Sequence, residues 1–163
     1  MARLSYLEAF RLAVTVGKTA ALFHVITHYG IVTTGVEGAS MLPTVHIMGQ
    51  TAVISSRYRH GRGVQVGDLV TYDIPISRNT CGLKRVVGMP GDYVTIQAPQ
   101  APNGAGDTMM QVPQGHCWLV GDNLTVSRDS RDFGPVPLGL IRGKALMLLW
   151  PFKWLDNGLT KVE

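Results

Sequence analysis

Three short polar stretches of the chain contain residues that together could activate a serine hydroxyl. The first is EGASMLPT at residues 37–44, with Ser40 near its centre. The small residues Gly38 and Ala39 would let a substrate backbone come close, and Met41 follows the hydroxyl directly. We therefore take Ser40 as a candidate nucleophile, with Gly38, Ala39 and Met41 as the positions that a substrate or an oxyanion would approach. Taken alone, a serine followed three residues later by proline is common in ordinary turns.

The second stretch is KRVVGMPGD at residues 84–92, an apolar strand that begins with two cations and ends in a rigid turn. Because side chains alternate along a strand, Lys84 and Arg85 point to opposite faces, and we expect Lys84 to point inward and Arg85 into solvent. Burial favours the neutral amine and lowers the pKa of a lysine from about 10.4, by up to about 3 to 5 units in the extreme. Such an amine could take a proton from Ser40. The alternative is a surface Lys-Arg pair.

The third stretch is GDNLTVSRDSR at residues 121–131, which combines turn formers with two hydroxyls and an Asp/Arg pair. Asp129 and Arg131 could form a bidentate ion pair that fixes the loop. Ser127 could hydrogen-bond to a neutral Lys84 amine and orient it. The alternative is a polar turn with no chemical task.

Together, the three stretches resemble the motifs of the type I signal peptidases, membrane-bound serine proteases that use a Ser-Lys dyad. The matching motifs, in order, are Ser40-Met41-x-Pro43-Thr44, Lys84-Arg85-x-x-Gly88-x-Pro90-Gly91-Asp92 and Gly121-Asp122-Asn123-x-x-x-Ser127-x-Asp129-Ser130-Arg131. The resemblance implies that Ser40 is the nucleophile, Lys84 the general base and Ser127 the hydroxyl that orients the lysine. It further implies that Asp129 and Arg131 are structural supports, and that the enzyme needs no cofactor.

Further motifs narrow the resemblance to a compact branch, the mitochondrial inner membrane protease. They lie at residues 112–123, 133–144 and 150–151, and the interval from Lys84 to Gly121 leaves no room for a large inserted β domain. Within that branch, Arg131 looks like the residue of the first catalytic subunit. The resemblance implies precursor proteins as substrates, a second protease subunit as partner in a heterodimer, and a catalytic domain on the inner membrane facing the intermembrane space. Gly38 replaces a hydroxyl residue of some bacterial members, so an oxyanion would rest on the Ser40 N–H and another donor.

These residues need a scaffold, and the composition favours a sheet. Nineteen Gly, nine Pro and only 16% charged residues leave little room for long helices. We expect a mainly β, signal-peptidase-like fold with an N-terminal membrane-anchor helix. Its β domain would cover residues 37–152, followed by a tail at 153–163. Strands are expected at residues 51–56, 64–73, 83–87, 93–97 and 116–120, the second of them with a turn at Gly67 and Asp68. A closing strand pair is expected within 138–150, with bends at Gly139 and Gly143, and a mobile surface loop at 98–108.

The N-terminal segment, residues 1–36, contains an uncharged run from Thr19 to Val36. As a helix this run would extend about 27 Å at 1.5 Å per residue, nearly the thickness of a bilayer core of about 30 Å. We therefore expect a retained anchor helix over about residues 12–36. A buried amphipathic helix is the alternative, because threonines, histidines and glycines dilute the run.

Composition also limits the ligands and partners. The net charge of +4 comes without an aromatic-interleaved basic stripe, which argues against nucleic acid, and the basic run at residues 57–62 is expected to be a solvated loop or a lipid contact. Cys81 and Cys117 lack zinc-site spacing and are expected to be two buried thiols or one bridge. His24 and His28 have no acidic partner nearby, so no metal is expected.

Three other functions fit parts of the pattern. A bacterial-type signal peptidase I would carry the same three motifs. A self-cleaving repressor-type Ser-Lys peptidase would need an N-terminal DNA-binding domain, which the 39 residues before Ser40 do not provide. A non-catalytic, membrane-tethered subunit would be expected to lack Ser40 or Lys84, and both are present.

Overall fold

A computed structural model of the chain describes residues 6–47, 49–77, 79–96 and 108–155, apart from the side chains of residues 26–29. The fold is mainly β, which confirms the expected class. Helix α1 is Tyr6–Tyr29, and α2 is Ser130–Phe133. The strands are β1 Ile31–Val36, β2 Gln50–Ser55, β3 Leu69–Asp73, β4 Cys81–Gly88, β5 Tyr93–Ile96, β6 Thr108–Gln111, β7 His116–Val120, β8 Val136–Pro137, β9 Ile141–Leu149 and β10 Phe152–Trp154. The loop expected at residues 98–108 lies outside the described residues, except for Thr108 at the start of β6.

The N-terminal helix exists, but its end differs from the prediction. Helix α1 stops at Tyr29, and the residues from Ile31 onward form β1 instead of its last turns. Ile31, Val32 and the two threonines after them are β-branched, which favours a strand, and they pair along their length with β2. Within the described part of the chain, no helix combines the length and the apolar character needed to cross a membrane. The predicted spanning anchor over residues 12–36 is therefore not supported.

One antiparallel sheet carries most of the domain, with strand order β1-β2-β9-β3-β4-β7-β8, and β10 pairs with β9. Strands β5 and β6 form a separate hairpin. The predicted strand at 64–73 begins only at Leu69, because a turn at Gly67 and Asp68 precedes it. The predicted strand pair within 138–150 is instead a short 3₁₀ helix followed by the single strand β9. At Gly143 a Cβ would lie 2.6 Å from the Ser55 carbonyl oxygen, so the glycine permits close approach to β2. The pairing of β9 with β3 also shifts register between Gly143 and Ile141.

A hydrophobic cluster lies directly under the turn that contains Ser40. Met41 and Val45 from that turn are almost completely buried and pack with Leu69, Leu83 and Leu155 from three other segments. Burying a side chain of this size contributes about 1.5 to 3 kcal/mol. The turn is thus attached to the sheet by its own apolar residues.

Two strand edges, one on β1 and one on the first half of β4, have open backbone and face each other. Residues 85–88 of β4 pair with β7, whereas residues 81–84 pair only with β3 among the described strands. Strand β1 likewise pairs only with β2 in the part of the chain that the structure describes. An extended peptide could therefore hydrogen-bond to open backbone on either side.

Two smaller expectations need correction. Both cysteines are free thiols, and Cys117 is buried as expected, but Cys81 is exposed because it begins β4 at the open edge. The basic run at residues 57–62 was expected to be a loop, and it consists of short 3₁₀ turns within Ser56–Gly61 that are interrupted by non-helical backbone at Arg59 and His60.

Candidate active site

Ser40 lies in a one-turn 3₁₀ helix, Ala39–Met41, directly after β1. Gly38 precedes this turn with φ of 106°, a conformation that residues with a side chain rarely adopt. Met41 reaches down into the core, while Ser40 itself is only partly buried. The local sequence thus fixes the turn from below and leaves the hydroxyl at the surface of a cavity.

Lys84 reaches this hydroxyl from the middle of β4. Its Nζ lies 2.6 Å from the Ser40 Oγ, which is hydrogen-bond distance. Only 6% of the residue is exposed, because Lys84 stands opposite the buried Val70 of β3. Burial lowers the pKa of the Lys84 amine from its ordinary value, Arg131 lowers it further, and the charges of Asp129 and Asp122 act in the opposite direction. The Ser40 hydroxyl and the Lys84 amine are thus in contact, and burial makes this amine easier to deprotonate than an ordinary lysine.

The loop after β7 is built around the Asp129 carboxylate, which is completely buried. It accepts hydrogen bonds from the Gly121 N–H at 2.9 Å and the Ser127 Oγ at 2.6 Å, and pairs with the Arg131 guanidinium through two bonds of 2.9 and 3.0 Å. Burial alone would raise the pKa of Asp129, but these hydrogen bonds outweigh it and the pKa is lowered. The expected bidentate ion pair is therefore present, and it also caps α2.

Ser127 is placed differently from the expectation. Its hydroxyl donates to Asp129, and the hydrogen bonds of the described residues include none between Ser127 and Lys84. The Lys84 amine instead contacts the Ser40 hydroxyl, and the Ser127 hydroxyl proton is directed to the carboxylate.

A second ion pair, not foreseen from the sequence, connects all three polar stretches. Arg85 is only 12% exposed and donates two hydrogen bonds, of 2.8 and 2.7 Å, to Asp122. The Thr44 hydroxyl donates to the same carboxylate. Burial would raise the pKa of Asp122, but the Arg85 and Thr44 hydrogen bonds lower it. The prediction that Arg85 points into solvent was wrong, because strand alternation gives the face of a side chain but not what covers that face.

Asn123 adds a direct link to the nucleophile turn. Its backbone N–H donates to the Ser40 carbonyl at 3.0 Å, and its side-chain Nδ2 donates to the Ala39 carbonyl at 3.1 Å. A Cβ on neighbouring Gly121 would lie 2.1 Å from the Ser127 Oγ and 2.6 Å from the Ser40 carbonyl oxygen. The signal in the sequence was the run Gly121-Asp122-Asn123, whose members each serve a different contact.

A cavity of about 270 Å³ opens over Ser40 and Lys84; we call it the catalytic cavity. Gly38 and Met41 line it, as do the open edges of β1 and β4, whereas Ala39 faces Asn123 and is not part of the lining. Among the described residues no cluster of His, Cys, Asp and Glu could hold a metal ion. The site thus offers a hydroxyl, an amine and open backbone on both sides.

Comparison with known proteins gives this arrangement a family. The family model described as Signal peptidase, peptidase S26 matches residues 9–104 and 100–150, and the chain belongs to this family. It is 41% identical over 151 residues to mitochondrial ATP-independent inner membrane protease subunit 1a of Arabidopsis thaliana, covering 92% of this chain and 89% of that protein. It is 35% identical to mitochondrial inner membrane protease subunit 1 of Schizosaccharomyces pombe, covering 94% and 96% of the two chains.

The chain is also similar to solved structures. A crystal structure of a signal peptidase I from Enterococcus faecalis V583 aligns with a TM-score of 0.41 at 22% identity, covering 50% of this chain and 95% of that one. The resemblance inferred from the motifs is confirmed by the family match and the relatives. Family membership makes the chain a serine peptidase and supports a mitochondrial signal-peptidase-like function for it.

Proposed function

We propose that this protein is a membrane-bound serine endopeptidase that removes sorting sequences from proteins delivered to the mitochondrial intermembrane space. The observation that carries the proposal is the 2.6 Å contact between the Lys84 Nζ and the Ser40 Oγ beside an open cavity. A buried amine with a lowered pKa is the acceptor that an otherwise weak serine nucleophile needs.

In the first half of the reaction, neutral Lys84 takes the proton from the Ser40 hydroxyl as Oγ forms a bond to the scissile carbonyl carbon. The tetrahedral intermediate then collapses, the C–N bond breaks, and the lysine returns the proton to the leaving amine. In the second half, water loses a proton to Lys84 as its oxygen attacks the carbonyl carbon of the acyl-enzyme ester. The bond between that carbon and the Ser40 Oγ then breaks, Lys84 returns the proton to Oγ, and the acid product leaves. Only protons move between the enzyme groups, so no cofactor is required.

The precursor would bind in extended form between the open edges of β1 and β4. Backbone hydrogen bonds to these edges would supply affinity, and Gly38 would allow close approach next to the scissile bond. The developing oxyanion would be stabilised by the Ser40 backbone N–H together with water or another donor. Met41 would shape the cavity floor from its buried position.

The remaining site residues would position the pair and take no part in the chemistry. Asp129 would hold Ser127, Gly121 and Arg131 in place, so that Ser127 supports the site through the carboxylate. Asp122, Arg85 and Asn123 would fix the Ser40 turn relative to β4.

The names of the relatives support a location and a kind of partner for this chain. Several are named as subunits of a mitochondrial inner membrane protease, which supports the same membrane and a protein complex for this chain. We propose a second protease subunit as its partner and a catalytic domain that faces the intermembrane space. The exposed apolar side chains of α1, such as Phe10 and Leu12, support membrane contact.

The direct test compares the detergent-solubilised wild-type chain with Ser40→Ala on a sorting-signal precursor. Ser77→Ala is the matched control, since Ser77 is exposed and lies outside the catalytic cavity. We expect wild type and Ser77→Ala to process the precursor and Ser40→Ala to leave it intact. Equal processing by all three would remove Ser40 from the mechanism, and absence of processing by all three would favour a non-catalytic subunit.

A further inference from the structure

A second cavity of about 220 Å³ adjoins the catalytic cavity on the side away from Ser40; we call it the distal cavity. Thr34, Thr71 and Cys81 line both, so the two cavities share a wall. The distal cavity lies beside residues 32–34 of β1, whereas the catalytic cavity lies beside residues 34–38. A peptide extended along the free edge of β1 would pass from one cavity into the other.

The distal cavity combines an apolar floor with positive charge. Val32 and the buried Ile54 supply apolar surface, and the charged lining residues in the described part of the chain are Arg59 and Arg142. Arg142 pairs with Asp73 at 2.6 Å, but both side chains are about half exposed, so this pair is worth little. A guanidinium has five N–H donors, and one carboxylate does not use them all. The lining therefore suits a side chain with an apolar stem and a negative end.

Building on the proposed function, we propose that the distal cavity is a specificity subsite for an acidic side chain of the precursor. An extended chain advances about 3.3 Å per residue, in step with β1. Residues 32–34 precede Gly38 by four to six positions. The selected Glu or Asp thus lies about four to six residues from the scissile bond, with its methylene groups against Val32 and Ile54 and its carboxylate near the two arginines.

The two arginines and the apolar floor could also bind an anionic phospholipid headgroup, but the wall that the distal cavity shares with the catalytic cavity favours the precursor. The catalytic cavity is the place where the peptide must lie, and three side chains form a common wall with it. A headgroup in the distal cavity would lie in the path of the extended substrate.

The test uses the full chain in detergent and peptides that carry either Glu or Gln at each of six positions on both sides of the scissile bond. For the wild type we expect kcat/KM to be about five- to tenfold higher for Glu than for Gln at one position four to six residues from the bond, because a partly exposed charge-assisted bond has this size. In Arg142→Gln the Glu-to-Gln ratio at that position should fall to about one. Arg57→Gln is the control: Arg57 belongs to the same basic run as Arg59 but lies outside the distal cavity, so this variant should keep the wild-type ratio.

The outcomes separate this proposal from the proposed function. Cleavage with a flat Glu-to-Gln ratio at all positions overturns the subsite and leaves the protease intact. A Glu preference that survives in Arg142→Gln also overturns it. If the wild type cleaves no peptide, the proposed function fails, and binding of labelled Glu and Gln peptides to Ser40→Ala then decides the subsite, because equal Kd values refute it. A flat ratio together with Arg142-dependent binding to vesicles containing anionic phospholipid would assign the cavity to lipid instead.

Discussion

At the scale of single residues, one substitution can distinguish two possible roles of Lys84, a general base and a structural cation. A general base must be able to lose its charge, whereas a structural ion pair must keep it. Arginine stays protonated in proteins, so Lys84→Arg preserves a cation but cannot accept the Ser40 proton. We expect this variant to fold and to lose a factor of about 10² to 10⁴ in kcat, or more if the pair acts as a unit.

Lys144→Arg is a matched control for this substitution, measured by precursor processing. Lys144 and Lys84 stand on opposite sides of the same residue, Val70, and Lys144 forms an ion pair with Asp68 that arginine can keep. Its activity should stay near that of the wild type. Processing by Lys84→Arg within a few-fold of wild type would show that a permanently charged side chain does the work.

The pKa of Lys84 also predicts how activity depends on pH. The protonated amine cannot accept a proton, so kcat/KM should rise with pH as Lys84 loses its charge. Burial lowers the pKa, which moves this rise below the ordinary lysine value of 10.5. The measurement is a pH profile of peptide cleavage under conditions where the fold is intact. A profile that falls as pH increases over the same range would contradict a free-base mechanism.

The buried Asp129 should matter more for stability than for chemistry. Asp129→Asn leaves Arg131 without a charge partner, and we expect a loss of about 2 to 4 kcal/mol in the free energy of unfolding together with reduced activity. The lowered pKa means that the carboxylate stabilises the fold above the ordinary aspartate pKa and loses this effect as pH falls through its own lower value.

Thermal and denaturant unfolding measure this loss. Asp73→Asn removes the same kind of partner from Arg142, but in a half-exposed pair, and should cost less than about 1 kcal/mol. An unchanged Tm in Asp129→Asn, combined with lost turnover, would instead give Asp129 a chemical role.

Gly121 lies where the loop at residues 121–131 comes close to the turn that contains Ser40. Gly121→Ala would place a methyl group 2.1 Å from the Ser127 Oγ and 2.6 Å from the Ser40 carbonyl oxygen, so the turn and the loop must separate. We expect kcat/KM to fall by at least about 10², since small displacements of a catalytic group have effects of this size. In Gly139→Ala, where a Cβ meets nothing within 4 Å, peptide cleavage should be unaffected. Comparable activity of the two variants would argue against a tight Gly121 contact.

At the scale of elements, the C-terminal hairpin supports the nucleophile turn from below. Leu155, just after β10, is 7% exposed and packs in the cluster with Met41 and Val45, and Lys153 donates to the Thr44 carbonyl at 3.3 Å. Leu155→Ala should lower the free energy of unfolding by about 2 to 3 kcal/mol. Leu149→Ala lies in the same hairpin, but Leu149 is 43% exposed, so its cost should be clearly smaller. Equal Tm values for the two variants would show that the hairpin does not brace the turn.

At the scale of the whole molecule, the exposed apolar side chains of helix α1 are the candidate contact between the domain and the membrane. Helix α1 exposes Leu7 and Phe10 one turn apart, by 72% and 68%. We expect the full chain to remain with the membrane fraction in flotation assays, and Leu7→Glu combined with Phe10→Glu to shift it toward the soluble fraction. Arg11→Gln is the control on the same helix. Flotation of the double variant like wild type would place the membrane contact elsewhere.

The sequence by itself determined the family of this protein and the candidate residues of its site. Ser40, Lys84 and the 121–131 loop could be named because the site is made from short local motifs whose residue types have few alternative uses. The Asp129–Arg131 pair was also predictable, since two residues in one loop meet without help from the rest of the chain. The mainly β class followed from composition, because glycine and proline disfavour long helices.

Only the tertiary structure decided which groups lie next to each other across the chain. Arg85 was expected in solvent, yet it pairs with Asp122, which lies 37 residues further along the chain and reaches it only when β4 and β7 pair. Residues 31–36 were read as the end of an anchor, but pairing with β2 makes them a strand and one wall of the site. The distal cavity follows from the same pairing, because Val32, Thr71 and Arg142 lie on β1, β3 and β9 and share a surface only after the sheet has formed. Local sequence patterns indicate the chemistry that a residue can take part in, whereas strand pairing determines which other groups lie next to it.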